Sequence, residues 1–235
     1  MRLFCFTYAG GRASFFDRID RQINASIEIV KMEYAGHGSR HRESFYRNFS
    51  ELAEDMYTLI RSMCHPDDRY ALMGYSMGSI VVVEVLKRIL RLKEISEPAH
   101  VFLGAHEPYT RRELLDFDPS ARDQWIRERT IQFGGIPKSL VNNNSFWRVY
   151  LPVYRTDYMM IADYDFEHLD LKTDVPVTVF YSETDTPLEK MKIWRRFFVG
   201  ECAFFGYEGN HFFMMDHSQE MADVISGRLL SEKKG

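Results

Sequence analysis

Residues 70–92 constrain the fold of this chain more than any other stretch. They begin as an apolar, strand-like run and continue as a pattern in which apolar side chains recur every three or four residues. Five residues, Gly-Tyr-Ser-Met-Gly, join the two patterns, so the chain must pass from strand to helix through one tight turn. A glycine on each side of the serine supplies the conformational freedom that such a turn needs. The stretch therefore predicts a β-strand followed directly by an α-helix.

The same alternation of strand and helix patterns continues along most of the chain. Strands are predicted at residues 2–6, 27–32, 70–73, 100–103, 175–181 and 202–207. Helices are predicted at residues 49–63, 79–92, 187–198 and 218–230. Several of the strands are apolar along their whole length, which is typical of strands covered on both faces. The alternation predicts an α/β fold with a mostly parallel central sheet and helices on both of its faces.

One segment interrupts the alternation. Between residues 111 and 165 no convincing strand pattern occurs, whereas helical periodicity, turn signals at 134–135 and 142–144, and many aromatic residues do. A structureless loop of that length is improbable in a compact domain. We therefore expect one domain, residues 1–235, with a helical insertion at about 107–165, which we call the lid segment. Such insertions usually cover active sites.

Composition narrows the classes of function. The net charge of −4 and the pI of about 6.1 argue against nucleic acid as a partner. The three cysteines are widely spaced and form no Cys-x-x-Cys pair, so neither a disulfide framework nor a metal site is expected. No stretch of 18 uninterrupted apolar residues occurs, and the N-terminus lacks the features of a signal peptide. We expect a cytoplasmic protein that does not interact with a membrane.

Ser76 lies at the centre of the turn, in a Gly-x-Ser-x-Gly pattern with a predicted strand before it and a predicted helix after it. In that context the pattern is typical of a nucleophilic serine on a strained turn, close to the positive end of the helix. The alternative is that Ser76 only caps the helix, which serine does well. We favour the nucleophile, because a capping serine does not need a glycine on both sides.

A nucleophilic serine requires a base, and the base requires an orienting carboxylate. In α/β-hydrolases the three groups occur in the order serine, acid, histidine. His211 follows the last predicted strand, where its loop would face Ser76. Asp185 and Glu183 both follow the strand at 175–181, and we favour Asp185 because it lies deeper in the loop. Either carboxylate could instead cap the next helix.

The oxyanion formed during acyl transfer needs two backbone N–H donors. The residue after the nucleophile, Met77, supplies one of them. The second should come from the loop after an early strand, and the glycine-containing turn after residues 2–6 fits that requirement. Ala9 is our candidate there, with Tyr8 as the alternative. A phosphate-binding loop is not favoured, because neither Gly-x-Gly-x-x-Gly nor Gly-Lys-Ser/Thr occurs.

Six segments in the same order resemble the type II (editing) thioesterases of nonribosomal peptide and polyketide synthesis, over nearly the full chain. They are LFCFTYAGGRASFF from residue 3, YAGHGSR from 34, ALMGYSMGS from 71, FGGIPKSL from 133, LPVYRTDYMMIADY from 151 and GNHFFM from 209. The corresponding family segments include F-P-x-A-G-G, P-G-R-G-x-R, G-H-S-M-G and G-G-H-F-F. Each segment alone is modest, but six in order are highly specific.

The resemblance implies an α/β-hydrolase fold with a helical lid. It also implies hydrolysis of acyl groups held as thioesters on the phosphopantetheine arm of acyl or peptidyl carrier proteins, with no metal or cofactor bound by the enzyme itself. The family's roles correspond to Ser76 as nucleophile, Asp185 as acid and His211 as base. Met77 and Ala9 correspond to its oxyanion donors.

The sequence departs from the family pattern at a few positions. Tyr75 replaces the usual histidine before the nucleophile, Thr7 replaces a proline, and the segment at 34–40 lacks the usual proline and first arginine. Tyr75 could narrow the pocket, hydrogen-bond the substrate or only pack against the lid segment. We predict Tyr75 and Tyr8 as substrate-binding residues.

Other readings stay open. A general esterase would use the same triad, and an acyltransferase would replace water by another acceptor. A docking protein that has lost the chemistry is disfavoured by the complete set of catalytic residue types. A monomer is the default expectation. A carrier protein is usually acidic, and arginines could offer it a basic face: Arg40, Arg42, Arg111, Arg112, Arg127, Arg129, Arg195 and Arg196.

Overall fold

The central sheet contains six strands in the computed structural model, which describes residues 1–110 and 112–231. The strands are β1 (Arg2–Phe6), β2 (Glu28–Met32), β3 (Tyr70–Tyr75), β4 (His100–Gly104), β5 (Val177–Tyr181) and β6 (Cys202–Gly206). Their order across the sheet is β2-β1-β3-β4-β5-β6, and each neighbouring pair is parallel. The predicted mostly parallel sheet is confirmed.

Helices occupy the connections between the strands. They are α1 (Asp17–Gln22), α2 (Phe49–Met63), α3 (Met77–Leu92), α4 (Pro119–Phe133), α5 (Asn144–Asp163), α6 (Leu188–Met191) and α7 (Ser218–Leu230). Short 3-10 helices lie between several of them. No helix in the described part of the chain is both long and apolar enough to cross a bilayer.

Alternate residues of the sheet face two separate hydrophobic clusters. Phe4 and Phe6 of β1 belong to the cluster that includes α2 and α3, whereas Leu3 and Cys5 belong to the cluster that includes α1 and α7. This alternation follows from the two-residue period of a strand. Both faces of the sheet are therefore covered, and the predicted α/β class is confirmed.

Several predicted strand boundaries differ from the observed ones by one or two residues, and two of the predicted helices also differ. Helix α3 begins at Met77, directly after the turn, rather than at residue 79. The helix predicted at 187–198 is instead α6 followed by a 3-10 helix, Lys192–Arg196. In that 3-10 helix the Trp194 indole N–H donates to the His106 carbonyl oxygen at 2.9 Å, across 88 residues of sequence. A contact between residues so distant in sequence cannot be predicted from the sequence pattern near either of them.

The lid segment contains α4 and α5. Helix α4 starts with Pro119 after an Asp118 cap, whose carboxylate accepts two backbone N–H groups. It ends at Phe133 and is followed by Gly134, which has a φ of 85°. The two helices share a small apolar cluster of their own: Leu114, Ile126, Ile136, Trp147, Leu151, Tyr154, Tyr158 and Ala162. Between β4 and β5 the described residues form helices and turns but no strand.

Candidate active site

Ser76 occupies the turn between β3 and α3 with a φ of 54°, a conformation that costs strain in a residue with a side chain. Its backbone N–H donates to the Gly104 carbonyl oxygen at 2.7 Å. A β-carbon at Gly74 would overlap the Gly78 carbonyl, and one at Gly78 would overlap the Phe6 carbonyl. Both glycines are thus required for the close approach of α3 to the ends of β1 and β3.

Ser76, His211 and Asp185 form a hydrogen-bonded row. The His211 Nε2 atom lies 2.9 Å from the Ser76 Oγ atom, and the His211 Nδ1 atom lies 2.8 Å from the Asp185 Oδ2 atom. Because a carboxylate only accepts, Nδ1 carries the proton and Nε2 is left to accept from the serine hydroxyl. Ser76 makes no side-chain cap bond to α3, so its hydroxyl is directed to the histidine instead.

The two loops that carry Asp185 and His211 are tied together. The Asp185 N–H donates to the Ser182 carbonyl oxygen at 3.1 Å, which closes a turn after β5. The hydroxyls of Ser182 and Thr184 each donate to the Gly209 carbonyl oxygen at 2.6 Å. The carboxylate and the imidazole are therefore held by a shared set of bonds between the ends of β5 and β6.

The alternative acid and a neighbouring histidine lie elsewhere. Glu183 accepts the Leu188 N–H at 3.4 Å, at the start of α6. This is the helix-capping contact predicted as the alternative role of this carboxylate. His217 contacts Glu220 and the Glu208 carbonyl oxygen, each at 3.1 Å. Neither of these side chains is bonded into the row at Ser76.

The predicted oxyanion donors flank the same point. Phe6 pairs with Gly74 across β1 and β3, so the loop that follows β1 begins beside the serine turn. Ala9 lines the cavity that contains the Ser76 side chain. Across residues 1–110 and 112–231, neither the Ala9 N–H nor the Met77 N–H donates a hydrogen bond to another group of the chain. Both amides are available to an oxygen of a bound substrate.

Tyr75 is not where the substrate-binding prediction places it, and that prediction is corrected. Its side chain is fully buried and lies outside the described cavity wall, between the rings of Phe15 and Phe213. The hydroxyl donates to the His211 carbonyl oxygen at 2.8 Å and accepts from the Met214 N–H at 3.5 Å. Burial raises the pKa of Tyr75 well above its usual value, so the phenol stays a neutral donor.

The cavity beside the row has a volume of about 100 Å³. Tyr8 lies in its wall, with its ring edge-on to Phe212 at 4.8 Å between centroids, and its role in substrate binding stays a prediction. The lid segment supplies most of the apolar wall, through Leu114, Trp125, Phe133, Tyr154, Tyr158 and Ile161. A small, largely apolar cavity of this kind suits the hydrocarbon part of an acyl group.

Phe133 is a contact of the row that the sequence pattern did not indicate. Its ring, at the end of α4, stacks on the His211 imidazole with 4.1 Å between centroids and 24° between planes. The Arg129 guanidinium lies 4.2 Å from the Phe133 ring centroid on the same helix. The sequence marks Phe133 only as one of the aromatic residues of the lid segment, at the start of a segment that resembles the family's lid.

Six of the eight arginines predicted for a carrier-binding face contact partners within their own chain. Arg40 contacts the carboxylates of Glu43 and Asp55, and Arg112 contacts Asp165. The guanidinium groups of four others lie over aromatic rings, namely those of Arg127, Arg129, Arg195 and Arg196. Arg42 is exposed, and Arg111 lies outside the described residues. The basic face stays a prediction.

Comparisons with known proteins cover nearly the whole chain. The family model described as "Thioesterase domain" matches residues 1–229. Gramicidin S biosynthesis protein GrsT of Aneurinibacillus migulanus is 27% identical, over 97% of this chain and 89% of that protein. The medium-chain S-acyl fatty acid synthase thioesterase of Rattus norvegicus is 26% identical, over 93% of this chain and 83% of that protein.

A solved structure shares the fold. RedJ, a thioesterase from the prodiginine biosynthetic pathway in Streptomyces coelicolor, superimposes with a TM-score of 0.83 and 26% sequence identity. The superposition covers 97% of this chain and 85% of the RedJ chain. The likeness therefore extends over the sheet, the covering helices and the lid segment together.

Proposed function

Because the chain belongs to the thioesterase family, we propose that it hydrolyses acyl groups held as thioesters on the phosphopantetheine arm of carrier proteins, as an editing enzyme of peptide or polyketide synthesis. The chain has the α/β-hydrolase fold, and enzymes of the family are serine hydrolases. The observation that carries the proposal is the row in which His211 bridges Ser76 and Asp185 at 2.9 and 2.8 Å. The biosynthetic relatives GrsT and RedJ support the choice of substrate class.

The acylation step follows from the geometry of the row. The Ser76 Oγ atom attacks the thioester carbonyl carbon while His211 Nε2 takes the hydroxyl proton. The N–H groups of Ala9 and Met77 stabilise the negative charge on the carbonyl oxygen. The carbon–sulfur bond then breaks, and the thiol leaves with the proton from His211. Asp185 stabilises the imidazolium that forms in between.

The deacylation step repeats the chemistry with water. His211 removes a proton from water as the water oxygen attacks the acyl-serine carbonyl carbon. The bond to the Ser76 Oγ atom breaks, the serine regains its proton from His211, and the free acid is released. Every proton and charge in both steps is handled by side chains and amides of this chain, and the phosphopantetheine arrives with the substrate. We therefore propose that the enzyme needs no cofactor of its own.

The decisive experiment presents one acyl group in two ways, on a holo carrier protein and on a small free thiol. We expect a large preference in kcat/KM for the carrier-bound form. The variant Ser76→Ala should lose at least about 10³-fold in kcat, because the nucleophile is absent. The matched control is Ser62→Ala, which removes an exposed serine of α2 and should leave both rates unchanged.

Other outcomes assign other functions. Equal rates on the two substrates would indicate a general esterase or thioesterase. Transfer of the acyl group to an added amine or alcohol, at the expense of hydrolysis, would indicate an acyltransferase. Wild-type hydrolysis by Ser76→Ala would refute the catalytic assignment. A protein that binds the carrier but does not react with a fluorophosphonate would be a docking protein.

We also propose that the enzyme acts as a monomer in the cytoplasm on carrier domains of separate proteins. The support is that all three cysteines are free, two of them buried, which fits a reducing compartment. Light scattering of the purified protein, with and without a carrier protein, tests the monomer and the stoichiometry of the complex.

A further inference from the structure

Asp157 connects the lid segment to the loop that follows β1. Its side chain projects from α5, and its Oδ2 atom accepts the Gly10 N–H at 2.6 Å. The same oxygen lies 2.8 Å from the His37 Nε2 atom, in the loop after β2. Asp157 is 1% exposed and His37 is 4% exposed. Three parts of the chain that are remote in sequence thus meet at one buried carboxylate oxygen.

The partners of His37 determine its charge. Its Nδ1 atom lies 3.1 Å from the Ala35 carbonyl oxygen, and its Nε2 atom faces the Asp157 carboxylate. Both partners can only accept, so both ring nitrogens must donate, and only the imidazolium can do that. Burial alone would lower the pKa of His37, but Asp157, the Ala35 carbonyl and Glu33 together hold that pKa above its usual value.

The hydrogen bond from the Gly10 N–H to Asp157 lies next to Ala9 and affects the orientation of the Ala9 N–H. The Gly11 N–H donates to the Tyr8 carbonyl oxygen at 2.9 Å, which closes a turn over residues 8–11. Gly10 has a φ of 73°, as the third residue of a type II turn requires. The Asp157 carboxylate fixes the peptide plane between Ala9 and Gly10, and so the orientation of the turn that carries the Ala9 N–H.

We propose that Asp157, paired with the His37 imidazolium, is a positioning residue that holds the Ala9 N–H in the oxyanion hole. The lid helix α5 then contributes to transition-state stabilisation, as well as to the wall of the cavity. The proposal rests on the proposed function, because the orientation of Ala9 matters to the reaction only if Ser76 attacks a carbonyl carbon.

A pH dependence follows from this arrangement. As the pH rises through the raised pKa of His37, the imidazolium loses a proton and one of its two bonds, so kcat should fall on the alkaline side. The ionisable groups that face the pair are Glu33, Tyr34, Tyr154 and Tyr158. Burial keeps the pKa of each of these tyrosines above its usual value, and the Glu33 carboxylate accepts the Ala13 N–H.

The test compares three variants with the wild type on an acyl-carrier substrate. Asp157→Ala should lower kcat by about 10- to 100-fold and keep KM within about threefold of the wild-type value. The reason is that a misplaced oxyanion donor stabilises the transition state less well. Asp157→Asn keeps an oxygen that can accept from Gly10 and should recover part of that loss. His37→Arg keeps the charge at all accessible pH values and should shift the alkaline fall of kcat to higher pH.

The control is Asp123→Ala. Asp123 forms an ion pair with Arg155 that joins α4 to α5, with no bond to the loop after β1. If Asp157 only stabilises the lid segment, Asp157→Ala and Asp123→Ala should both lower the melting temperature, and the two variants should have the same kcat. The proposal is overturned if Asp157→Ala keeps kcat within about twofold, or if Asp123→Ala lowers kcat as much.

The pH profile provides a test that does not depend on the folding of Asp157→Ala. If the alkaline limb is the same in the wild type and in His37→Arg, the proposal is overturned. The proposed function is judged separately by Ser76→Ala. An inactive Ser76→Ala beside a fully active Asp157→Ala refutes the positioning role alone, whereas an active Ser76→Ala refutes the proposed function.

Discussion

Tyr75 joins the turn that carries the proposed nucleophile to the loop that carries the proposed base. Its hydroxyl bonds the His211 carbonyl oxygen and the Met214 N–H, so one buried phenol fixes the backbone from His211 to Met214. We therefore expect the residue next to Ser76 to act by orienting His211 rather than through contact with a substrate.

The variant Tyr75→Phe tests this role. It removes the hydroxyl and keeps the ring, leaving the His211 carbonyl without its donor. We expect a loss of about 1–2 kcal/mol in the free energy of unfolding, because a buried acceptor is left unpaired. We also expect a fall of about 3- to 10-fold in kcat, because His211 is less well aligned with Ser76. Urea unfolding and steady-state kinetics measure the two effects.

Tyr70→Phe is the matched control for that prediction. The Tyr70 hydroxyl also donates to a backbone carbonyl oxygen, that of Ser96, at 2.6 Å, but at the opposite end of β3. Its loss should reduce stability by a similar amount and leave kcat unchanged. Equal kcat values in the two variants would show that Tyr75 contributes only to stability.

The residues that could be predicted from the sequence are those that local patterns mark. Ser76 stands out through its flanking glycines, and His211 and Asp185 through their places after strands. The pair of His37 and Asp157 could not be found in this way, because its members are 120 residues apart and meet only after the lid segment has folded onto the sheet. Tyr75 stands out in the sequence as a departure from the family pattern, but the direction of its side chain follows from tertiary packing.

Among the elements of the fold, helix α4 contacts the row most directly. Its last residue, Phe133, stacks on the His211 imidazole and covers that ring on the cavity side. Gly134 and Gly135 follow at once, and a β-carbon on Gly135 would lie 2.6 Å from the Phe212 ring. The end of the helix and the histidine loop are therefore packed against each other without space for a side chain between them.

The variant Phe133→Ala should lower kcat/KM by about tenfold. The aromatic contact stabilises the imidazole in its position by about 1 kcal/mol, and its loss also opens the cavity to water. Phe133→Leu keeps much of the apolar cover and should recover part of the activity. Kinetics on an acyl-carrier substrate measure both variants.

Phe146→Ala provides the comparison for the lid segment. Phe146 is stacked on Tyr150 within α5, with 4.8 Å between centroids, and it lies outside the described cavity wall. Removing it loosens the aromatic packing of the lid segment without touching His211. If it reduces kcat/KM as much as Phe133→Ala does, general disorder of the lid segment is responsible and the specific stack is not.

The bounds of a helix or strand could be predicted where one apolar periodicity extends over its whole length. Strand β1 and helices α2 and α7 have the predicted bounds, because their apolar periodicity is uninterrupted. The helix predicted at 187–198 tightens into a 3-10 helix, where Trp194 reaches beyond the end of β4. Periodicity in the sequence indicates which face of a helix is apolar, but it does not indicate hydrogen-bond partners that are distant in sequence.

At the scale of the whole molecule, the proposed catalytic groups lie at the carboxyl ends of the strands, and other polar groups that affect stability are buried between the layers. The proposed catalytic groups follow the ends of β1, β3, β5 and β6, whereas several buried polar groups lie within the layers. His100, the first residue of β4, is 5% exposed, and its Nε2 atom lies 2.9 Å from the Thr178 hydroxyl oxygen. Desolvation lowers the pKa of His100 to about 4, with Arg228 acting in the same direction.

This buried histidine makes the stability of the fold depend on pH on the acid side. An unfolded chain binds a proton at an ordinary histidine below about pH 6.5, whereas folded His100 stays neutral down to a pH of about 4. The unfolded state therefore gains a proton in that window that the folded state lacks, and stability falls as the pH decreases. The full pKa difference corresponds to about 3 kcal/mol.

His100→Asn should remove this contribution, because asparagine can still bond the Thr178 hydroxyl but does not titrate. Between about pH 6.5 and pH 4 the free energy of unfolding should fall by up to about 3 kcal/mol more in the wild type than in the variant. Carboxylates with lowered pKa values, such as Asp123 and Asp165, destabilise both proteins equally and cancel in the comparison. His65→Asn, at an exposed position, should keep the wild-type slope. Parallel curves for His100→Asn and the wild type would mean that His100 takes up its proton in the folded protein as readily as in the unfolded chain.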